Sequence, residues 1–130
     1  EQAATLIHTS NYFYNEPNVL LAAELCRRTK MDRAFFCNSG AEANEALLKL
    51  ARHHFYGLGQ KERWRVVAFD NAFHGRTLGS LSMTGTPKYR EGFHVPEGVT
   101  HVPFGDLDAA KRAVGPDVAA VIVEPVQGEG

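Results

Sequence analysis

The chain has 130 residues, of which 44% are hydrophobic and 22% are charged, and its formal net charge is −1. This length and composition are those of an ordinary globular domain with an apolar core. The near-neutral charge provides no basic surface for nucleic acid, and no apolar run approaches the roughly 20 residues that span a bilayer. We therefore expect binding to neither nucleic acid nor membrane.

The cysteines and histidines do not form the patterns typical of metal sites. Cys26 and Cys37 are too few for a disulfide framework and too far apart for a CxxC motif. His53 and His54 are adjacent on a predicted helix and therefore point in different directions. We predict no metal and a reducing, cytoplasmic location. Because the chain lacks a starting methionine and stops inside a glycine-containing segment, we expect an internal fragment of a longer protein.

The first half of the chain predicts two helices with a strand between them. Asn15-Glu16-Pro17 is a typical helix start, with a capping residue and a proline in the first turn, and residues 1–15 lead into it. Residues 33–37 predict a short buried strand, and a longer helix follows that ends near Gly57. We assign the apolar stripe of that helix to Ala43, Ala46, Leu47, Leu50, Ala51 and His54.

The second half alternates strands and helices. Residues 66–69 predict a buried strand, residues 71–98 a long loop with one short helix at 77–82, and residues 100–102 a further strand. Asp106 begins a helix that runs to Val114. Residues 118–123 are an apolar, β-branched strand of the kind that is covered on both faces. This alternation predicts an α/β fold with three layers, α/β/α, around a mostly parallel sheet.

Three polar, glycine-bearing segments each follow a predicted strand, namely residues 38–45, 73–77 and 124–130. In an open parallel sheet, ligands bind outside the carboxyl ends of the strands. We therefore expect the three segments to meet at one edge of the sheet and to form a binding site there.

The segment Ser39-Gly40-Ala41-Glu42 has two interpretations. As a capping box, the Ser39 side chain accepts from the Glu42 amide while the Glu42 carboxylate reaches back to Ser39. As an anion site, the amides of Gly40 and Ala41 bind a phosphate at the positive end of the helix. Taken alone, the segment favours the cap. Glu42 and Glu45 disfavour an anion unless they point away from it.

The other two segments offer an aromatic ring, a guanidinium and carboxylates. Phe73 is either core or a stacking surface for a planar ring, and His74 either lines the pocket or bonds a loop. Arg76 has the planar fork that binds a carboxylate, or else forms a surface salt bridge. A buried Glu124 needs a partner, either a cation or a polar group of a ligand, and Glu129 can pair with an arginine elsewhere.

In this order and spacing, the motifs resemble those of the class III aminotransferases, which are fold-type I enzymes dependent on pyridoxal 5′-phosphate (PLP). The motifs are residues 38–45, 73–77 and 124–130, and with residues 10–17 the resemblance covers nearly the whole chain. It implies that residues 1–130 are part of the large PLP-binding domain, truncated at both ends. It also implies a homodimer for the full-length protein.

The resemblance also implies roles for residues around the cofactor. Gly40 and Ala41 would present their amides to the phosphate, with Ser39 beside them. Phe73 would stack on the pyridine ring, and His74 would lie next to the cofactor. Many members of the family carry threonine where this chain has Ala41, a change that keeps the amide contact and loses a hydroxyl contact.

On the substrate side, the resemblance implies that Arg76 binds a carboxylate of the amino donor and that Glu124 and Glu129 line the active site. The catalytic residues of the family are an aspartate on the pyridine nitrogen and a Schiff-base lysine. Both would lie beyond Gly130, so no catalytic residue is expected within this chain. The fragment alone is expected to be inactive.

The implied reaction transfers the amino group of N2-acetyl-L-ornithine to 2-oxoglutarate, giving N-acetylglutamate semialdehyde and glutamate in arginine biosynthesis. Other ω-amino donors remain open, namely ornithine, succinylornithine and 4-aminobutyrate. Two alternatives lie outside the family. One is an α/β domain that binds a different phosphate ligand, and the other is a non-catalytic interaction module in which the Ser-Gly turn is only a cap.

Overall fold

A computed structural model describes residues 1–10 and 12–128. The chain divides into two compact units, Glu1–Cys37 and Asn38–Gly130. The first unit contains the short helix α1 (Gln2–Thr5) and the longer helix α2 (Glu16–Thr29). The Asn15 side chain caps α2 by accepting from the Asn18 amide at 3.0 Å. The predicted helix start is therefore confirmed.

The predicted strand at residues 33–37 is wrong. These residues are not assigned to a strand, and the Phe35 side chain is 69% exposed. A strand requires a neighbour that completes its ladder of hydrogen bonds. No strand of the described residues pairs with this segment, so an apolar run was not sufficient to make it one.

The second unit contains three helices, three strands and one 3₁₀ turn among its described residues. In chain order they are α3 (Gly40–Gly57), β1 (Arg65–Phe69), α4 (Leu78–Met83), the 3₁₀ turn (Pro87–Tyr89), β2 (Val99–Val102), α5 (Leu107–Ala113) and β3 (Val118–Val121). Each predicted element from residue 38 onward is present, although β3 ends two residues earlier than predicted. No helix of the described residues is both long and apolar enough to cross a membrane.

The three strands form one parallel sheet in the order β2-β1-β3. Val67 on the central strand lies opposite Thr100 on β2 and Val121 on β3. Parallel strands require crossover connections, and the helices that provide them cover the faces of the sheet. The predicted parallel sheet is confirmed.

Each face of the sheet has its own apolar cluster, because successive residues of β1 point to opposite sides. On the side of α3 and α4 the buried residues are Leu48, Val66, Ala68 and Met83. On the side of α5 they are Val67, Phe69, Val102 and Val118, with Ala109, Ala110 and Ala113 packed against them. The three-layer α/β/α arrangement is therefore confirmed.

Helix α3 meets the sheet with a different face from the predicted stripe. Leu48 is the buried residue of this helix, whereas Leu47 and Leu50 are 51% and 70% exposed. Asn44 and Glu45, which precede Leu48 by four and three positions, are half-buried on the same face. Because two polar residues occupy the inner face, the apolar periodicity indicated the wrong side of the helix.

Candidate functional site

The described parts of the three polar segments (residues 38–45, 73–77 and 124–128) lie together, although the first of them does not follow a strand. The backbone N–H of Phe73, in the loop after β1, donates to Glu124 Oε2 at 3.1 Å, and Glu124 follows β3. In the same loop, the His74 carbonyl accepts from Asn44 Nδ2 of α3 at 2.7 Å. Direct hydrogen bonds therefore join the loop after β1 to both of the other segments.

Gly75 allows this loop to lie directly on the first turn of α3. Its φ of +126° is one that residues with a side chain rarely adopt. A Cβ at this position would lie 2.7 Å from the Ala41 Cβ and 2.6 Å from Ser80 Oγ. The loop can approach the helix this closely only because residue 75 is a glycine.

The N-terminus of α3 has the predicted cap. The Glu42 amide donates to Ser39 Oγ at 3.2 Å, and the Glu42 carboxylate accepts from the Asn38 amide at 2.8 Å and from the Ser39 hydroxyl at 3.2 Å. Hydrogen bonds from Asn38 and Ser39 hold the pKa of the Glu42 carboxyl below its usual range. Gly40 is exposed, and apart from its chain neighbours and the backbone of its own helix, no atom of the described residues lies within 4 Å of the position its Cβ would take.

The Glu45 side chain points away from the start of α3 and caps the N-terminus of α4. Its Oε1 atom accepts from the Thr77 hydroxyl at 2.6 Å, from the Gly79 amide at 2.7 Å and from the Ser80 amide at 3.1 Å. Partial burial raises the pKa of Glu45, but these hydrogen bonds and the charge of Lys49 together lower it further than burial raises it. The carboxylate is therefore ionised at neutral pH.

Arg76 is exposed and lies against two aromatic rings. Its guanidinium carbon is 4.0 Å from the centroid of the Tyr89 ring and 5.5 Å from that of the half-buried Phe73. Such stacking orients a guanidinium without using its N–H donors. Arg76 forms no ion pair with another described residue, so the surface salt bridge considered above is not observed.

His74 is 5% exposed, and its Nε2 atom is buried without a hydrogen-bond partner among the described residues. Burial lowers the pKa of the imidazole, and the nearby Glu124 carboxylate offsets this only partly. The ring is therefore neutral at physiological pH. A buried polar atom without a partner requires an explanation, and a bound ligand group is one.

Glu124 has a partner that the sequence did not suggest. We expected a cation or a ligand group, but its carboxylate accepts from the backbone amide of Phe73. Glu124 therefore holds the loop in place, whatever else it contacts. The last predicted site residue, Glu129, lies outside the described residues.

Three polar residues that position the loop were not predicted as site residues. Asn44 and Glu45 bond it from α3, while the fully buried Thr84 hydroxyl accepts from the His74 amide at 3.0 Å and donates to the Gly75 carbonyl at 3.1 Å. A signal for the first two was present in the sequence. They share a helix face with Leu48, and polar residues on a buried face require partners.

Comparison with protein families places the whole chain in one family. The aminotransferase class-III family matches residues 1–130. Acetylornithine aminotransferase of Myxococcus xanthus is 55% identical over 130 residues, which make up 99% of this chain and 32% of that protein. Acetylornithine/succinyldiaminopimelate aminotransferase of Yersinia pestis is 51% identical, over 100% of this chain and 32% of that protein. The chain thus spans about a third of the length of these relatives.

Solved structures agree with this family and with the fold. Ornithine aminotransferase from Toxoplasma gondii, a structure that shows PLP at partial occupancy in the active site, has a TM-score of 0.88 at 30% identity. The similarity covers 98% of this chain and 31% of that one. These matches decide against an unrelated phosphate-binding domain. The chain therefore belongs to the class III aminotransferases, a family of PLP-dependent enzymes with an α/β fold.

Proposed function

We propose that the full-length protein transfers the amino group of N2-acetyl-L-ornithine to 2-oxoglutarate, as a step of arginine biosynthesis. The observation that supports this donor is the 55% identity to a relative named acetylornithine aminotransferase. A second donor, succinyldiaminopimelate, is a candidate because it appears in the name of a relative that is 51% identical. The products with acetylornithine would be N-acetylglutamate semialdehyde and glutamate.

The residues at the start of α3 fit the phosphate of PLP. We assign the phosphate to the amides of Gly40 and Ala41, with the Ser39 hydroxyl beside them, because a helix N-terminus favours an anion. The exposure of Gly40 supports this assignment, since residue 40 is accessible to a ligand from solvent. The Ser39 cap is compatible with it because the cap uses the Glu42 amide, not those of Gly40 and Ala41.

We assign the ring of PLP to Phe73 and His74. When bound, PLP would carry the amino group from an amino acid to a 2-oxo acid, and its ring would act as the electron sink for this transfer. The face of the Phe73 side chain would stack on the ring of PLP. The backbone N–H of Phe73 donates to Glu124 Oε2 at 3.1 Å, which holds this residue in place. The neutral His74 would contribute its buried Nε2 as a hydrogen-bonding atom.

Arg76 would bind a carboxylate of the substrate. Its guanidinium is stacked on Tyr89, which leaves the fork of N–H donors available for bidentate binding. Glu124 and Glu129 would line the substrate side, where their charges repel a misplaced carboxylate and attract an amino group.

Residues 1–130 would be part of the large PLP-binding domain, and the Schiff-base lysine and the aspartate on the pyridine nitrogen would lie outside this chain. The chain alone would therefore be inactive. We further propose a cytoplasmic homodimer.

An assay of the purified full-length protein with PLP and 2-oxoglutarate tests this function. Acetylornithine, succinyldiaminopimelate, ornithine, succinylornithine and 4-aminobutyrate are compared as amino donors at equal concentration. We expect the highest kcat/KM with acetylornithine and no turnover without PLP. A higher kcat/KM with another donor would replace the substrate assignment, and no turnover with any donor would contradict the function itself.

A further inference from the structure

The phosphate end and the ring end of the proposed cofactor site lie on separate elements. Gly40 and Ala41 begin α3, whereas Phe73 and His74 lie in the loop after β1, about thirty residues later. PLP joins its phosphate to its ring through a single methylene ester, so the two ends of the site must be held at one fixed separation. Two contacts between α3 and the loop provide this constraint.

The first contact is made by Asn44. Its Nδ2 atom donates to the His74 carbonyl at 2.7 Å, and both residues are at least partly buried. Asn44 lies one turn after Ala41 on the same face of α3. This hydrogen bond therefore ties the backbone of the ring-binding loop to the helix turn next to the phosphate-binding amides.

The second contact is made by Glu45. A single atom, Oε1, accepts from the Thr77 hydroxyl and from the Gly79 and Ser80 amides at the start of α4. Because Arg76 directly precedes Thr77, this contact fixes the far end of the loop. Asn44 and Glu45 therefore hold the loop on both sides of Gly75, which packs against Ala41.

We infer that Asn44 and Glu45 are positioning residues. They set the distance between the phosphate-binding amides of Gly40 and Ala41 and the ring-binding loop after β1. Neither residue is assigned a contact with the cofactor, and the inference rests on the proposed function for what the site holds. Its structural part, that the two side chains hold the loop, is independent of that function.

The experiment compares variants of the full-length protein with a matched control. Asn44→Ala removes the bond to His74, and Leu48→Ala destabilises the same helix one turn later without touching the loop (Leu48→Val serves if Leu48→Ala does not fold). We expect Asn44→Ala to weaken PLP binding about tenfold, which is about 1.4 kcal/mol. Leu48→Ala should lower the melting temperature at least as much and change the PLP dissociation constant less than twofold.

Glu45 offers a conservative variant because all three of its bonds to α4 go to one oxygen. Glu45→Gln can keep them with its amide oxygen, whereas Glu45→Ala removes them. We expect Glu45→Ala to weaken PLP binding several-fold and Glu45→Gln to restore most of the affinity. Equal effects of the two variants would show that charge, not positioning, is what matters, and would overturn the inference for Glu45.

Hydrogen exchange in the apoprotein separates this inference from the proposed function. Asn44→Ala should speed amide exchange in the peptide covering residues 72–80 about tenfold, with no such change in Leu48→Ala. If the wild-type protein does not bind PLP, the proposed function fails while this readout still decides whether the loop is held. Unchanged exchange in Asn44→Ala, or an equal loss of PLP affinity in Leu48→Ala, would overturn the inference.

Discussion

The N-termini of α3 and α4 lie close together but are completed in different ways. Oxygen Oε1 of Glu45, from a neighbouring helix, satisfies the first amides of α4, so a negative charge of the protein occupies that end. The start of α3 has a local cap from Ser39 and an exposed Gly40 beside it. The Glu45 carboxylate at the start of α4 leaves little affinity there for another anion. At the start of α3 the Glu42 carboxylate accepts from Asn38 and Ser39, and these bonds do not use the amides of Gly40 and Ala41.

This difference assigns separate roles to two acidic residues of one motif. Glu45 is directed to α4, while Glu42 folds back on Asn38 and Ser39. Glu42 does leave a negative charge near the start of α3. A phosphate therefore has to approach on the side of Gly40 and Ala41, away from that carboxylate.

The largest expected effect on stability comes from Gly75, which lies between the two helix ends. Gly75→Ala places a Cβ against Ala41 and Ser80 and forces an unfavourable φ. We expect a loss of about 3 kcal/mol in the unfolding free energy of the full-length apoprotein, measured by denaturant unfolding. Gly57→Ala is the matched control, because no described atom beyond its chain neighbours and the backbone of its own helix lies within 4 Å of its Cβ position. Equal effects of both variants would show that the close approach is unimportant.

A smaller effect on stability is expected when the pH is lowered, because Glu45 at the N-terminus of α4 becomes protonated. The pKa of Glu45 is lowered on folding, so its contribution to stability is complete above the pKa of an unfolded glutamate, roughly 4.3, and is lost as the pH falls through the folded value. We therefore expect wild type to exceed Glu45→Gln in melting temperature at pH 7 and the gap to close on acidification. A gap that does not depend on pH would contradict the lowered pKa.

A loss of about 1 kcal/mol is expected from removing the cap of α3. Ser39→Ala deletes the acceptor of the Glu42 amide, which is 3.2 Å away, and Ser39→Asp keeps an acceptor at the same position. The two variants are compared by denaturant unfolding of the apoprotein. If Ser39→Ala is as stable as Ser39→Asp, the cap contributes nothing measurable.

The sequence predicted the layers of the fold better than the details of the site. Strands such as residues 66–69 were evident because both faces are covered and the run is continuously apolar. The stripe of α3 was assigned to the wrong face because Asn44 and Glu45 occupy the buried side, where a periodicity argument expects apolar residues. The hydrogen-bond partners of Asn44 and Glu45 lie thirty or more residues away along the chain, so a local sequence pattern could not reveal those partners.

The loop after β1 shows the same limit. A sequence can suggest that Arg76 binds a carboxylate, but it does not show that the guanidinium stacks on Tyr89, thirteen residues later. Nor does it show that the Phe73 amide is the partner of Glu124. Contacts of this kind depend on the folded path of the backbone, which the topology of the parallel sheet determines.

The proposal that the N-terminus of α3 binds the phosphate of PLP is tested most directly by the PLP affinity of Gly40→Asp in the full-length protein. Gly40 is exposed, and an acidic residue in the first turn of a helix is stabilising. We therefore expect almost no change in the melting temperature of the apoprotein, the smallest stability effect of the four. The added charge should nevertheless repel a phosphate at this end and weaken PLP binding at least tenfold.

Gly40→Asn, which has nearly the same size without the charge, is the control. The proposed site predicts a much larger loss of PLP affinity in Gly40→Asp than in Gly40→Asn, with both apoproteins as stable as wild type. An unchanged dissociation constant for PLP in Gly40→Asp would contradict the assignment of the phosphate to the N-terminus of α3.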